Sequence, residues 1–167
     1  MGSFFNLLVN LIGVFIGVYL ALRLDRRERR KIEIQERRRM SASLKVDLQD
    51  NLERIKSKDE ITIYDFEGIK RKILLTVFNT ATLESVINSG KLTLFEIELQ
   101  TNLSDIHQIL TLSGMMTDRL LNFMTSIDRA LTRRKQILDW LLDNLEAQYK
   151  ELEVLIPETL EKLEKKE

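Results

Sequence analysis

Residues 4–22 read FFNLLVNLIGVFIGVYLAL, an apolar run without a charged side chain, and residues 23–31 follow it as RLDRRERRK. At about 1.5 Å per residue the apolar run forms a helix of about 28 Å, close to the thickness of about 30 Å of a membrane's hydrocarbon core. The sequence therefore predicts a transmembrane helix at residues 4–22 that is followed at once by a basic segment.

The flanks of the apolar run distinguish it from two other N-terminal signals. A secretory signal peptide has positive charge before its apolar region and small residues at a cleavage site. Residues 1–3 have no charged side chain, and residues 19–23 read YLALR, without an A-x-A site. An N-myristoylation signal requires Ser or Thr at position 6, which is Asn6. We therefore interpret the run as a retained anchor.

The distribution of Lys and Arg predicts the orientation of this anchor. All the basic residues lie on the C-terminal side of the apolar run. Because positive residues near the ends of a span remain in the cytoplasm, the short N-terminus should face outward and the chain from Arg23 onward should be cytoplasmic. The absence of cysteine agrees with a reducing compartment.

Small and polar residues share one face of the predicted transmembrane helix. At about 100° per residue, five of them fall within about 80° of one another. These five form the small-residue stripe: Asn6, Asn10, Gly13, Gly17 and Ala21. Residues 13–17 form a G-x-x-x-G motif that lets helix backbones approach closely, and asparagine can hydrogen bond across a helix contact. The small-residue stripe predicts association of transmembrane helices.

The basic juxtamembrane helix predicted at residues 23–39 should contact anionic lipid head groups, at about 1 kcal/mol per base. The bases nearest the membrane are Arg23, Arg26, Arg27, Arg29, Arg30 and Lys31. Nucleic acid is not an expected partner, because no aromatic residues are interleaved with these bases. Asp25 and Arg29 form an i,i+4 pair, and no Gly or Pro intervenes, so we expect the membrane helix to continue unbroken into the cytoplasm.

The rest of the chain has the composition of an all-α domain, rich in Leu, Ile, Glu, Lys and Arg with a single proline. We predict an antiparallel helical bundle or coiled-coil domain at residues 40–156, followed by a charged tail at residues 157–167. Its first helix should reach about residue 56, because an apolar stripe continues at i,i+4 spacing. That stripe consists of Met40, Leu44, Leu48, Leu52 and Ile55.

Capping residues and periodicity predict two more helices after the first one. Ser57 and Glu60 resemble a capping box for the second helix, although residues 61–64 alternate as a strand would. That helix would bury Phe66, Ile69, Ile73 and Val77. The short third helix follows capping residues 79–82 and ends at Ser89, with Gly90 at the C′ position.

A further capping box, Thr93 and Glu96, precedes a long stripe with three-four alternation. The stripe consists of Leu99, Leu103, Ile106, Leu110, Leu120, Met124, Ile127, Leu131, Leu138, Leu141, Leu145 and Leu152. A single continuous helix over the whole stripe would have no partner helix against which to bury its apolar face. We therefore expect a break near Gly114 or at residues 132–135, and Pro157 should end the pattern.

Three segments give the chain a resemblance to a family: residues 13–25 (GVFIGVYLALRLD), 44–51 (LKVDLQDN) and 83–92 (LESVINSGKL). Together they resemble an uncharacterised family of small prokaryotic single-pass membrane proteins. The resemblance covers about the first two thirds of the chain. It implies a prokaryotic inner membrane and a helical cytoplasmic domain, and it implies no activity.

No residue pattern indicates enzymatic chemistry, a cofactor or a metal. The segment at residues 89–93, SGKLT, lacks the glycine at position 85 and the Ser or Thr after lysine that a phosphate-binding loop requires. His107 is the only histidine, whereas a di-iron bundle needs two Glu-x-x-His motifs. Asp139 and Asp143 are most simply part of a solvated helix face, and Phe123 and Trp140 should pack within the bundle.

The sequence therefore predicts a non-enzymatic, homo-oligomeric single-pass membrane protein that acts as a scaffold or docking module. Two alternatives stay open. In the first, several copies form a small ion channel whose pore is lined by the face of Asn6 and Asn10. In the second, the chain is an accessory subunit of a larger membrane complex and uses the small-residue stripe against a different protein.

Overall fold

The computed structural model describes the backbone at residues 2–57, 60–64, 70–74, 77–125 and 131–165, and side chains at residues 12–57, 77–123 and 136–165. The elements in chain order are α1 (Gly2–Lys56), β1 (Glu60–Tyr64), β2 (Lys70–Leu74), α2 (Ala81–Asn88), a 3-10 helix (Lys91–Leu94), α3 (Ile97–Thr125) and α4 (Leu131–Glu164). The described chain is thus mostly helical, with one two-stranded hairpin. This confirms the predicted predominance of helix.

The first helix, α1, continues through the basic segment and ends at Lys56, as predicted. Between Gly17 and Lys56 the sequence contains no Gly or Pro that would interrupt it. Arg29 Nε lies 2.9 Å from Asp25 Oδ2, one turn away, and both side chains are exposed. The contacts within the chain divide it into two units, Met1–Arg39 and Met40–Glu167.

The second unit has a helical core. Side chains from α1, α2, α3 and α4 contribute to one cluster, whose largest fully buried members are Leu44, Leu48, Leu83, Leu103, Ile106, Leu110, Leu120, Leu145, Leu152 and Ile156. Complete burial of each such side chain contributes about 1.5–3 kcal/mol to folding. Most of the predicted stripe is therefore the core, whereas the side chains of Met124, Ile127 and Leu131 lie outside the described residues.

The two longest helices of the second unit pack against each other. Ser113 Oγ of α3 donates to Gln148 Oε1 of α4 over 2.7 Å. Near the start of α3, Glu98 Oε2 lies 3.7 Å from Lys162 Nζ, which is near the end of α4. The start of α3 therefore lies beside the end of α4, and a later residue of α3 contacts an earlier residue of α4. The two helices are antiparallel. This agrees with the three-four alternation of the apolar stripe.

The predicted second helix is wrong, because the chain forms a hairpin there. Strands β1 and β2 pair antiparallel, with Ile61 opposite Ile73. The alternating β-branched residues at positions 61–63 favour a strand. Ser57 does not cap a new helix; its hydroxyl donates to the Arg54 carbonyl at the end of α1. Val77, predicted to be buried, is 80% exposed.

The predicted end of α2 is confirmed, and the predicted start of α3 is wrong. Gly90 has φ of 70° and follows α2 as predicted, and its N–H donates to the Ile87 carbonyl over 3.1 Å. The Thr93 capping box is wrong, since Thr93 lies in the 3-10 helix and α3 begins at Ile97. Phe66 and Ile69, assigned to the predicted second helix, lie outside the described residues.

The structure contradicts both predicted positions for a break in the long helical region. The prediction that Pro157 ends the last helix is wrong as well. α3 runs through Gly114 to Thr125, and α4 begins at Leu131, before residues 132–135. Pro157 lies inside α4, which continues to Glu164. Pro157 cannot donate the usual hydrogen bond to the carbonyl of residue 153. Leu152 and Leu163 are buried on either side of this turn, so packing holds the helix across the proline. Most of the predicted tail is therefore helix.

Candidate functional site

The candidate site on the first unit is the described apolar part of α1. Its large apolar side chains are 49–68% exposed: Ile12, Val14, Phe15, Ile16, Val18, Tyr19, Leu20, Leu22 and Leu24. At about 100° per residue, nine such positions surround the whole helix, so no polar face is left. A helix that is apolar on all sides is stable only when another apolar phase or another protein covers it.

The small-residue stripe lies on this surface. A methyl group built at Gly13 or Gly17 would meet no atom within 4 Å beyond its chain neighbours and the backbone of its own helix, and Ala21 is exposed. The side chains of Asn6 and Asn10 lie outside the described residues. The three described members of the stripe therefore share an open helix face on which another backbone could approach.

Among the described residues, no helix contains a stretch both long and apolar enough to cross a bilayer. The transmembrane helix at residues 4–22 thus stays a prediction, and the side chains of residues 4–11 are outside the described ones.

The bases that follow the apolar part are distributed unevenly around α1. All six predicted lipid contacts are exposed: Arg23, Arg26, Arg27, Arg29, Arg30 and Lys31. At about 100° per residue, four of them fall within about 100° of one another and form the arginine face. The arginine face consists of Arg23, Arg26, Arg27 and Arg30, which line a shallow surface depression of about 280 Å³.

The arginine face and the small-residue stripe point in different directions from the helix axis. Their centres are separated by about 130° around α1, at about 100° per residue. Asp25, Glu28 and Lys31 project instead on the side of the stripe. Two copies of α1 that met along the stripe would therefore bring two acids and one base of each helix, rather than the arginine face, toward each other.

The side chains considered for catalysis or metal binding do not form a site. Among the described residues, no group of three or more His, Cys, Asp or Glu could hold a metal ion. His107 is half-buried in α3. Phe123 packs against the core as predicted, but Trp140 is 52% exposed, so the prediction that it packs within the bundle is wrong.

The structure also contains a groove that sequence reasoning missed, here named the hydroxyl groove. It has a volume of about 270 Å³ and lies between residues 77–84 and α3. Its lining consists of Val77, Phe78, Thr80, Glu84, Leu110, Thr111, Gly114, Met115, Thr117 and Asp118. The interruption of the apolar stripe at Thr117 is the one signal in the sequence that could have indicated it.

Two buried hydroxyls lie near each other beside the hydroxyl groove. Thr117, which lines it, is 6% exposed, and Tyr149 on α4 is 8% exposed. Both hydroxyl oxygens are enclosed by the protein. The Tyr149 ring meets the Phe78 ring edge to face, with centroids 5.7 Å apart. Burial raises the pKa of Tyr149, and the nearby Thr117 hydroxyl opposes this shift.

Comparison with known proteins finds no protein-family model, no curated protein and no solved structure that matches this chain. The apolar part of α1, the arginine face and the hydroxyl groove are the features of the described residues that bear on function.

Proposed function

We propose that this chain is a non-enzymatic, homo-oligomeric single-pass membrane protein that acts as a scaffold or docking module. The observation that carries the proposal is the apolar surface on every side of α1 at residues 12–24, next to a dense group of bases. Leaving such a surface in water costs about 25 cal/mol per Å², and lipid is the environment that covers a helix on all sides.

The arginine face supports contact with the head groups of anionic lipids. Its four guanidinium groups lie within two turns of helix directly after the apolar part, where a membrane surface would be. A base near such a surface contributes about 1 kcal/mol. With the positive-inside rule, this favours a cell (inner) membrane with the N-terminus outside and the second unit in the cytoplasm. The resemblance to prokaryotic single-pass proteins favours the same location.

The small-residue stripe supports association between copies. Gly13 and Gly17 leave the helix backbone open to close approach, which is the main requirement for packing of transmembrane helices. The arginine face points away from this contact, so parallel copies avoid direct repulsion between their arginines. Asp25 and Glu28 near the contact further reduce the net positive charge there.

The mass of the purified protein in mild detergent tests this proposal. We expect a discrete wild-type oligomer and a lower copy number in Gly13→Leu/Gly17→Leu, measured by light scattering with the detergent mass subtracted. Phe15→Leu/Tyr19→Leu is the matched control, because these residues lie on the opposite face of α1 at the same spacing and should leave the oligomer intact.

Three results would contradict the proposal. If the wild type is monomeric, the homo-oligomer is wrong. If a foreign membrane protein co-purifies in stoichiometric amount, the chain is an accessory subunit instead. Release of the wild type from membranes by alkaline carbonate would exclude the anchor itself, whatever the copy number.

A further inference from the structure

The bases of the arginine face repel one another along one side of α1. They are spaced three and four residues apart, so each guanidinium group has like charges one turn away, and such pairs destabilise a helix. Among the described residues none of these four arginines makes an ion pair, whereas Arg29, outside the face, pairs with Asp25 over 2.9 Å. An anion bound along the arginine face would remove this repulsion.

The arginine face extends farther along α1 than one layer of lipid phosphates reaches. At about 1.5 Å per residue, Arg23 lies about 1.5 Å and Arg30 about 12 Å beyond Leu22, the last residue of the apolar run. The head-group region on one side of a bilayer is about 5–8 Å thick. In a membrane that covers the apolar run, the inner pair, Arg23 and Arg26, lies within this region. The outer pair, Arg27 and Arg30, begins at its water-facing edge.

Two adjoining depressions of about 280 Å³ each follow the arginine face. The first is lined by Tyr19, Leu22 and the inner pair, and the second by the inner and outer pairs together. Tyr19 is 63% exposed, and tyrosine is favoured at the surface of a membrane, where its hydroxyl can donate a hydrogen bond. The surface therefore changes from apolar through a phenol group to four guanidinium groups in the direction away from the membrane.

We propose that the arginine face binds a diphosphate lipid, a hydrocarbon chain that ends in two phosphate groups joined through one oxygen atom. This inference rests on the proposed membrane anchor and names the anionic lipid that the face prefers. The hydrocarbon chain contacts Leu22, the inner phosphate accepts hydrogen bonds from Tyr19 and the inner pair, and the outer phosphate accepts them from the outer pair. Guanidinium groups suit this role because they bind phosphate through two parallel hydrogen bonds.

The spacing of the two pairs distinguishes a diphosphate from other anionic head groups. Arg26 and Arg27 are only about 1.5 Å apart along the helix axis, so the two phosphates must be close together, as they are when one oxygen joins them. A lipid with one phosphate reaches the inner pair alone. The two phosphates of cardiolipin lie side by side at one depth of the membrane, so they also leave the outer pair without a partner.

Lipid binding to the full chain in phosphatidylcholine nanodiscs tests the proposal. The probes are geranylgeranyl diphosphate, geranylgeranyl monophosphate and geranylgeraniol, which share one hydrocarbon chain, and cardiolipin. Native mass spectrometry of the released protein measures the fraction of chains that retain each probe as its content in the nanodisc rises. We expect the diphosphate to bind at least about fivefold more tightly than the monophosphate or cardiolipin, because each further base near a phosphate contributes about this factor, and geranylgeraniol not to bind.

Two variants of equal charge locate the contact. Arg27→Gln/Arg30→Gln should lower the affinity for the diphosphate by about fivefold or more and leave the affinity for the monophosphate nearly unchanged. Arg29→Gln/Lys31→Gln is the matched control, because it removes two bases from the same turns of α1 outside the arginine face. It should leave the ratio of the two affinities as in the wild type. All four residues are exposed, so both variants should keep the fold.

Equal affinities of the wild type for the diphosphate and the monophosphate, or for the diphosphate and cardiolipin, would overturn the proposal. Equal losses of diphosphate binding in the two variants would show that net charge, not the arginine face, determines binding. Displacement of the lipid by an equal concentration of inorganic pyrophosphate would overturn the assignment to a lipid. A chain that does not enter nanodiscs overturns the membrane anchor as well, whereas one that enters and does not distinguish the probes overturns the diphosphate site alone.

Discussion

The Asn51 carboxamide on α1 makes two hydrogen bonds of 2.8 Å with the backbone of Asn79, donating from Nδ2 to the carbonyl and accepting at Oδ1 from the N–H. Asn51 has no exposed surface. One turn later, Arg54 Nη1 donates to the Val77 carbonyl over 2.8 Å. These side chains attach the strand-to-helix connection at residues 77–80 to α1, and this connection forms one wall of the hydroxyl groove.

Replacing Asn51 with leucine should destabilise the second unit by about 2–4 kcal/mol. The variant leaves the Asn79 N–H and carbonyl without their partners, and each unsatisfied buried group costs about 1–3 kcal/mol. Chemical denaturation followed by fluorescence of the single tryptophan measures the change. Asn144→Ala is the control, because the hydrogen bond that Asn144 makes among the described residues stays within α4, to the Trp140 carbonyl, and its loss should shift stability little. Equal effects of the two variants would contradict a special role for Asn51.

Two glycines should respond in opposite directions to alanine. Gly114→Ala should stabilise the second unit by about 0.5–1 kcal/mol, because alanine is the better helix former and the added methyl meets nothing within 4 Å. Gly90→Ala should destabilise it by about 1–2 kcal/mol, because its φ of 70° is strained for any residue with a Cβ atom. Thermal unfolding measured by circular dichroism compares both variants with the wild type. A stabilising Gly90→Ala would contradict the left-handed geometry.

The parts of the fold that can be predicted from the sequence are those with a sustained period. The apolar positions of α1, α3 and α4 repeat every three or four residues over several turns, and Leu48, Leu103 and Leu145 are fully buried as expected. The hairpin escapes prediction because Ser57 and Glu60 have capping-box spacing, whereas the alternation over residues 61–64 is short. Local propensity predicts that a helix ends at Pro157. It does not include the tertiary packing that holds α4 together on both sides of this residue.

The candidate sites differ in how far sequence could predict them. The apolar part of α1 and the arginine face are continuous in sequence, so composition and helical angles are enough. The hydroxyl groove combines residues 77–84 with residues 110–118, and Tyr149 lies behind it. Only the packing of α2 and its preceding connection against α3 brings these segments together, and no local pattern predicts that contact.

The unfolding free energy should fall at high pH because of Tyr149. Burial raises its pKa above the ordinary 10.0, so its contribution is fully present below pH 10 and is lost as the pH rises through the folded-state value. Tyr149→Phe keeps the ring contact with Phe78 and removes the ionising group. We therefore expect a smaller loss of stability between about pH 9 and about pH 11 in this variant than in the wild type, by chemical denaturation.

At pH 7 the Tyr149→Phe variant should be within about 1.5 kcal/mol of the wild type, since it loses the contact between the Tyr149 and Thr117 hydroxyls and a neutral hydrogen bond contributes about 0.5–1.5 kcal/mol. Tyr19→Phe is the control, because Tyr19 is 63% exposed on the other unit and this variant keeps Tyr149. If Tyr149→Phe loses stability with pH as steeply as the wild type and Tyr19→Phe do, Tyr149 is not the group responsible.

The arginine face should select anionic lipids. In the variant in which Arg23, Arg26, Arg27 and Arg30 are all replaced by glutamine, the ratio of anionic to zwitterionic lipid retained on purification should fall several-fold. Each base near the surface contributes about 1 kcal/mol, which corresponds to about fivefold in lipid preference. Quantitative mass spectrometry of the retained lipids measures the ratio.

Two controls test this lipid preference: high salt, and a variant that removes bases far from the arginine face in the sequence. Because exposed charges are screened within about 3 Å at about 1 M salt, high salt should reduce the wild-type ratio toward that of the variant. Lys150→Gln/Lys165→Gln removes two bases from the C-terminal part of the chain, where each pairs with an acid one turn earlier, and should leave the ratio unchanged. An equal fall in this control would mean that net charge, rather than the arginine face beside the apolar part of α1, determines which lipids are retained.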